Sequence, residues 1–179
     1  MGSSSTNTKS NLGGKKLEAN DELAIGWNPS KVEDIYGKRK IRRKESITKI
    51  RVVKGPQYKM FVKEAVKDFQ KNTFEVSKDC DRMGCRLIGV ALPIQNGTDI
   101  ISDCVTKGAV QITSEGLPII MMADRQTTGG YAKIANVIKA DLWKVAQAVP
   151  NEKIQFQFVS NRFALSQFKK NIRRKYDKL

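Results

Sequence analysis

Between Tyr58 and Gln70 apolar residues recur every four positions: Phe61, Ala65 and Phe69 align, with Val62 and Val66 beside them. Lys59, Lys63, Lys67 and Lys71 form a separate stripe, interleaved with Glu64 and Asp68. A period near 3.6 that separates apolar from charged positions predicts one amphipathic helix over 58–70. Most of the remaining pattern is shorter. Runs at 47–53, 73–76, 86–90, 109–113, 118–123 and 153–159 are β-type and bounded by turn residues; in the last, Ile154, Phe156 and Phe158 alternate with Gln155 and Gln157. Lys54-Gly55-Pro56 ends the first of them, because Gly and Pro together stop ladders and helices alike. Ile119-Ile120-Met121-Met122 is apolar on both faces, which predicts a central strand. A short helix is expected after Asp141 as N-cap, through Leu142-Trp143-Lys144-Val145. A last helix is expected over 165–178, with Phe168, Ile172 and Tyr176 on one face.

Several strands, few helices and no strict alternation of the two argue for a mainly β or α+β domain, a β-barrel in particular, and against a doubly wound sheet. With 179 residues the chain can bury one core and a small appendage. The division expected is a lead-in and basic linker over 1–46, a barrel domain over 47–160 and a C-terminal basic helix over 161–179. The first stretch is rich in Ser, Asn, Gly and Lys and should be loop.

Composition narrows the chemistry. There is no histidine, which removes Ser-His-Asp and Cys-His nucleophilic arrangements and every His-bearing metal site. The net charge is +15, from 33 Lys and Arg against 18 Asp and Glu, and residues 27–55 and 151–179 carry nearly all of it. Lys38 to Lys44 holds six cations in seven positions. Such clusters can release counterions from nucleic acid. No RNA-binding aromatic motif, zinc finger or KH-type loop accompanies them, so the flanks read as solvated charge and nucleic acid is not the expected partner. The apolar runs Ile88 to Ile94 and Leu117 to Ala123 fall far short of the roughly 18 residues of a membrane span. Cys80, Cys85 and Cys104 are an odd number, and the N-terminus has no secretory h-region. A cytoplasmic, soluble chain with reduced and inert thiols is expected. The spacing of Cys80 and Cys85 would otherwise suit half of a metal site, but no metal is expected.

Two segments could carry chemistry. Asp124-Arg125-Gln126-Thr127-Thr128-Gly129-Gly130-Tyr131 follows the central apolar run directly, displaying a dense polar octet where a rigid scaffold ends. Arg125 offers a planar fork for a carboxylate, Gln126 a donor and an acceptor for an amide or urea group, and Thr127 and Thr128 hydroxyls. Gly129 and Gly130 let backbone N–H groups approach a ligand. The same residues equally describe an ordinary tight turn with a structural Asp124–Arg125 pair. Asp79 to Arg86, between two strand runs, repeats the Asp-Arg dipeptide; Asp81 and Arg82 either close a pocket against the octet or are surface charges of a hairpin. No Walker-type phosphate loop and no Gly-x-Gly-x-x-Gly occurs.

Ala123 to Tyr131 followed by Lys133-Ile134-Ala135 resembles the signature of the biotin-dependent carboxyltransferase family. That family is also called allophanate hydrolase subunit 2, and it includes the C subunit of bacterial 5-oxoprolinase and the antagonist of a sporulation-kinase inhibitor. Val53-Lys54-Gly55-Pro56-Gln57, Asp81 to Leu87, Gly108 to Ile112 and Gly116 to Ile120 match as well, as do Gly2 to Thr6 and Asn11 to Gly14 with Lys16-Leu17. The resemblance covers the C-terminal part of family members; a preceding segment of comparable size has no counterpart here. Cys104 stands where the family usually has glycine, and the stretch after Gly14 is shortened.

The resemblance implies a cyclophilin-like β-barrel and a small amide-bearing substrate held by Asp124 to Tyr131 with Asp81 and Arg82. It implies a partial or split subunit of an ATP-dependent 5-oxoprolinase complex, converting 5-oxoproline to glutamate, with no cofactor on this chain and ATP on a partner subunit. The alternatives are a carboxyltransferase component that carries a urea-like acceptor to carboxybiotin, and a non-catalytic regulatory module. In each case the expected partner is a companion subunit with a cyclophilin-like barrel, and without it a two-fold homodimer.

Overall fold

The computed structural model describes residues 18–22, 46–95 and 97–176, with side chains to residue 173. The basic run Lys38 to Lys44 and most of the expected lead-in lie outside the described residues, as does the Tyr176 side chain. Contacts divide the chain into two units, 1–42 and 43–179. In the first, the described residues form a turn in which Glu18 N donates to Asp21 Oδ2 at 2.9 Å.

Among the described residues the second unit has nine strands: β1 (Ile47–Lys54), β2 (Phe74–Val76), β3 (Gly84–Ile88), β4 (Asp99–Cys104), β5 (Ala109–Ile112), β6 (Pro118–Met121), β7 (Thr128–Tyr131), β8 (Lys133–Val137) and β9 (Lys153–Phe158). Three helices accompany them, α1 (Lys63–Lys71), α2 (Leu142–Ala146) and α3 (Asn161–Tyr176). Seven strands close a barrel in the order β1-β8-β5-β6-β3-β2-β9, and β4 and β7 form a separate two-stranded ribbon. The mainly β barrel with short helices is the architecture expected from the pattern. All neighbours are antiparallel except the closing pair, where β1 runs parallel to β9 from Ile47 opposite Lys153 to Val52 opposite Phe158. Closure gives every barrel strand a neighbour on both sides.

Alternation fills the interior. Ile50 and Val52 of β1, Val110 and Ile112 of β5, Ile120 of β6, Ile134 of β8 and Ile154 and Phe156 of β9 are all buried in one core. As expected, β6 lies between two neighbours, β3 and β5. Ala65 and Phe69 bring α1 onto this core, where Phe69 stacks on Phe156 with ring centroids 4.3 Å apart. The expected single helix over 58–70 is interrupted: a 3₁₀ turn spans Tyr58–Met60, Phe61 and Val62 are extended, and the α-helix starts at Lys63. The apolar repeat runs across this break because Phe61 and Val62, though extended, pack against the same core as Ala65 and Phe69. The last helix also begins earlier than its apolar stripe suggested, at Asn161, where Ser160 Oγ accepts from Phe163 N at 3.2 Å.

Asp141 precedes α2 as expected, but its carboxylate does not cap the helix. It is fully buried and turned to Arg51 on β1: Oδ2 accepts from Arg51 N at 3.0 Å and Nε at 2.8 Å, and Oδ1 from Nη2 at 2.6 Å. Burial pushes this carboxyl up, yet the Arg51 hydrogen bonds and the nearby Lys144 ammonium outweigh it, and the net displacement is downward. The Arg51 guanidinium also lies 5.5 Å from the Phe163 ring centre, so one cation joins β1, α2 and α3. Removing one partner of a buried pair strands the other. Because Arg51 is 24% exposed, Asp141→Ala is expected to cost about 3 kcal/mol, the low end of the range for buried pairs. Urea unfolding measures it, and a loss below about 1 kcal/mol would contradict this assignment.

Candidate functional site

The octet is not a free turn after β6. Its second half is strand β7, which pairs with β4 so that Thr128 faces Cys104, Gly129 faces Asp103 and Tyr131 faces Asp99. Ala132 is buried between β7 and β8, donating to Thr98 O at 2.7 Å while its carbonyl accepts from Ile112 N at 3.1 Å. This junction delivers Lys133 as the first residue of β8.

On β5, Val110 and Ile112 face the core and Gln111 faces outward. Val110 pairs with Ala135 but Gln111 with Lys133, so Ile134 is an extra residue in β8; this irregularity lets Ile134 and Ala135 both reach the core and sets Lys133 outward with its partner Gln111. Yet both side chains are only 2% exposed. Lys133 Nζ donates to Asp103 Oδ2 at 2.9 Å, and Gln57 Nε2 donates to the same oxygen at 3.2 Å. Gln57 Oε1 in turn accepts from Lys133 N at 3.2 Å. Gln111 Nε2 donates to Tyr131 O at 3.1 Å. The Thr98 hydroxyl is buried beside this junction with no hydrogen-bond partner. A buried ammonium, two glutamine amides and a half-exposed carboxylate thus meet where the ribbon joins the barrel. Asp103 is held below the usual carboxylate range, first by the Lys133 hydrogen bond and then by Gln57 and the Cys104 N–H.

Gly55 and Gly129 make the approach possible. A Cβ on Gly55 would lie 2.2 Å from Lys133 O, so only glycine lets the end of β1 touch β8 there. A Cβ on Gly129 would meet Gln126 Nε2 at 2.5 Å, Gln111 Nε2 at 3.0 Å and Val105 Cγ2 at 3.1 Å. The amides of Gln126 and Gln111 therefore converge over Gly129, which connects the octet to the Lys133 group.

The structure brings the two sequence segments together. Arg82 Nε donates to Asp124 Oδ2 at 2.7 Å and Nη2 to Oδ1 at 3.0 Å, across 42 residues of sequence. This fork lowers the Asp124 carboxyl, but the pair is exposed and contributes little to stability. Asp124 therefore pairs with Arg82, not with its neighbour Arg125. Arg125 is turned onto main-chain carbonyls: Nε donates to Val105 O at 2.9 Å and Nη1 faces Met122 O and Ala123 O at 3.5 Å. Asp81 Oδ1 accepts from the Met83 and Gly84 amides at 2.7 and 3.0 Å and shapes its own turn. Thr127 O accepts from Val105 N at 2.9 Å, while the side chains of Gln126, Thr127 and Thr128 are exposed. Gly130 and Tyr131 are half-buried in β7. Sequence reasoning singled out the octet as the site; it quoted Gln57, Gln111 and Lys133 within segments that match the family without giving them a role, and passed over Asp103. A lysine and a glutamine at outward positions of strands that nevertheless carry core residues on both sides was the available signal.

The match to known proteins decides the family. Residues 1–158 match the family model described as carboxyltransferase domain, subdomain A and B. The chain belongs to this carboxyltransferase family. It is 34% identical over 184 residues to the 5-oxoprolinase C subunit of Haemophilus influenzae, covering 96% of this chain and 55% of that protein. It is 33% identical over 159 residues to the Escherichia coli 5-oxoprolinase C subunit, covering 87% of this chain and 50% of that protein. The chain thus spans about half the length of these curated relatives. Among solved structures, the Kluyveromyces lactis urea carboxylase superposes with a TM-score of 0.65 at 28% identity, over 71% of this chain and 12% of that one. Among the described residues no helix is long and apolar enough to cross a membrane, and no group of three His, Cys, Asp or Glu side chains is placed to hold a metal ion.

Two outcomes test this geometry. Gly129→Ala presses mainly on the flexible end of Gln126, so its melting temperature should stay within a few degrees of wild type while the Gln126 amide is displaced; unfolding at room temperature would show that the ribbon has no such slack. For Asp103 the sign follows from its lowered folded pKa. The Lys133 contact is complete above the ordinary carboxylate pKa of about 4 and is lost as pH falls through the folded value. Wild type should melt above Asp103→Asn at pH 7, and the gap should narrow progressively as pH falls below about 4. A gap as wide at about pH 2 as at pH 7 would disprove the ion pair.

Proposed function

We propose that this carboxyltransferase-family chain contributes part of the site of an ATP-dependent 5-oxoprolinase, in which 5-oxoproline is opened to glutamate. The observation that carries this reading is its identity of about one third to the C subunits of two bacterial 5-oxoprolinases. The site's chemistry supports it. A five-membered lactam carboxylate presents an amide and an anion, and the exposed Gln126, Thr127 and Thr128 beside Gly129 offer donors for both, with the buried Lys133 ammonium behind them supplying positive charge. Fixed donors of this kind stabilise an oxyanion that develops on the lactam carbonyl. In this reading Arg125 is a positioning residue that ties the octet to Val105, and Arg82 does the same through Asp124. The Asp124 to Tyr131 segment, with Asp81 and Arg82 behind it, forms one wall of the site.

A companion subunit with a complementary barrel supplies the other wall and the ATP. Two features support an incomplete surface. The β4–β7 ribbon has two strands among the described residues, and Ile101 on β4 is 95% exposed. A symmetric homodimer would cover the same surface in the companion's absence.

One observation favours a second reading, a carboxyltransferase component acting on a urea-like acceptor. The chain is 30% identical over 108 residues to the Saccharomyces cerevisiae urea amidolyase, and its fold superposes on a urea carboxylase. Biotin would then supply the carboxyl group from its ureido nitrogen, and the donors around Gly129 fit ureido oxygens as well as lactam ones.

The test is reconstitution with the companion 5-oxoprolinase subunits and a homologue's segment covering the part of the C subunit that this chain does not span. ATP-dependent release of glutamate from 5-oxoproline is expected. Lys133→Met, which keeps the length of the side chain and removes the ammonium, is expected to lower kcat about 10²-fold or more while the complex still assembles. Assembly without glutamate release, but with carboxylation of urea when a biotinylated partner is added, would select the second reading. Assembly without either would leave a regulatory module and refute both.

A further inference from the structure

We propose that Cys80 and Cys85 are a thiol pair that a hydroperoxide oxidises to an intrachain disulfide, stapling the loop that carries Arg82. Cys80 Sγ lies 2.7 Å from Cys85 Sγ, and both are free thiols. A tight turn explains the approach. Asp81 N donates to Gly84 O at 3.1 Å, and the Asp81 carboxylate accepts from the Met83 and Gly84 amides. The turn so closed leaves Cys80 and Cys85 flanking it on either side, with Cys80 Sγ also 3.6 Å from Arg86 O.

The two sulfurs differ in access. Cys80 is half-buried and Cys85 only 4% exposed, so reagent meets Cys80 first. Burial pushes the Cys85 thiol up, and the hydrogen bond it shares with Cys80 adds to it. The Cys80 thiolate attacks the terminal oxygen of the hydroperoxide. The O–O bond breaks, an alcohol or water departs, and Cys80 becomes a sulfenic acid. Cys85 then attacks the Cys80 sulfur; the S–S bond forms, the S–O bond breaks, and water leaves with the thiol proton. The two sulfurs give up two electrons and the peroxide accepts them. This chemistry is independent of the proposed oxoprolinase reading. Its structural consequence falls on Arg82, which lies between the two cysteines and holds Asp124 at the start of the octet.

The test uses the full chain treated with hydrogen peroxide at neutral pH, then denatured, alkylated and digested with trypsin without reductant. Free thiols are expected to fall from three to one per chain. The tryptic peptides Asp79–Arg82 and Met83–Arg86 should appear joined, two hydrogens lighter than their sum, and dithiothreitol should restore all three thiols. In Cys85→Ser the reaction should stop at a Cys80 sulfenic acid that dimedone traps, and Cys104→Ser should form the linked peptides as wild type does. Three alkylatable thiols after peroxide, a sulfinic acid at Cys80 with Cys85 still alkylated, or links through Cys104 alone would each overturn the proposal.

Discussion

Strand β1 is hydrogen-bonded on both sides, parallel to β9 and antiparallel to β8, and the barrel exists as a closed object because of it. Without the parallel pairing the sheet would have two open edges, and the outward faces of β5 and β8 would have no fixed curvature. Closure also sets where β1 ends. At Gly55 the chain passes close enough for its N–H to reach Ile134 O at 2.9 Å, and that contact is possible because no side chain intervenes. Two residues later Gln57 is in reach of both the Lys133 main chain and the Asp103 carboxylate. Arg51, three residues before the end of β1, binds buried Asp141 and packs on Phe163, so the same strand that closes the barrel anchors both C-terminal helices.

The site is a consequence of that geometry. A lysine on the outer face of a barrel would ordinarily lie in water, its charge fully hydrated. Here the β4–β7 ribbon brings Asp103 over it, and the amides of Gln57 and Gln111 complete the surrounding polar set. An ammonium that is 2% exposed costs free energy to bury unless paired, so the ribbon and the barrel are held in one arrangement by the Lys133–Asp103 contact. Asp103 remains half exposed, and Gln126, Thr127 and Thr128 open to the outside beside it. In the proposed reading, this polar wall backed by a rigid, buried cation is what a small anionic amide meets.

Much of this was legible in the sequence, and the part that was not has a physical reason. Strands with buried β-branched residues and clean alternation, such as Ile154-Gln155-Phe156, declared themselves. The ribbon did not. Asp99-Ile100-Ile101-Ser102-Asp103-Cys104 is mostly exposed, and Thr128-Gly129-Gly130-Tyr131 has the two residues least suited to a strand at its centre. Each is a strand because the other is. Strand β8 was hidden because Lys133 and Asn136 interrupt its apolar run. The octet was recognisable as a motif, but its ion pair with Arg82 and the burial of Lys133 under Asp103 are contacts over 42 and 30 residues. No local pattern contains them.

Hydrogen–deuterium exchange of the reconstituted complex, with and without 5-oxoproline, tests the central claim most directly. If the ribbon–barrel junction is one wall of the substrate site, ligand should slow exchange at the amides of residues 126–133 and 103–106, with little change on the far side at β2 and α1. Protection confined to other segments, with residues 126–133 exchanging at the same rate in both states, would contradict the account.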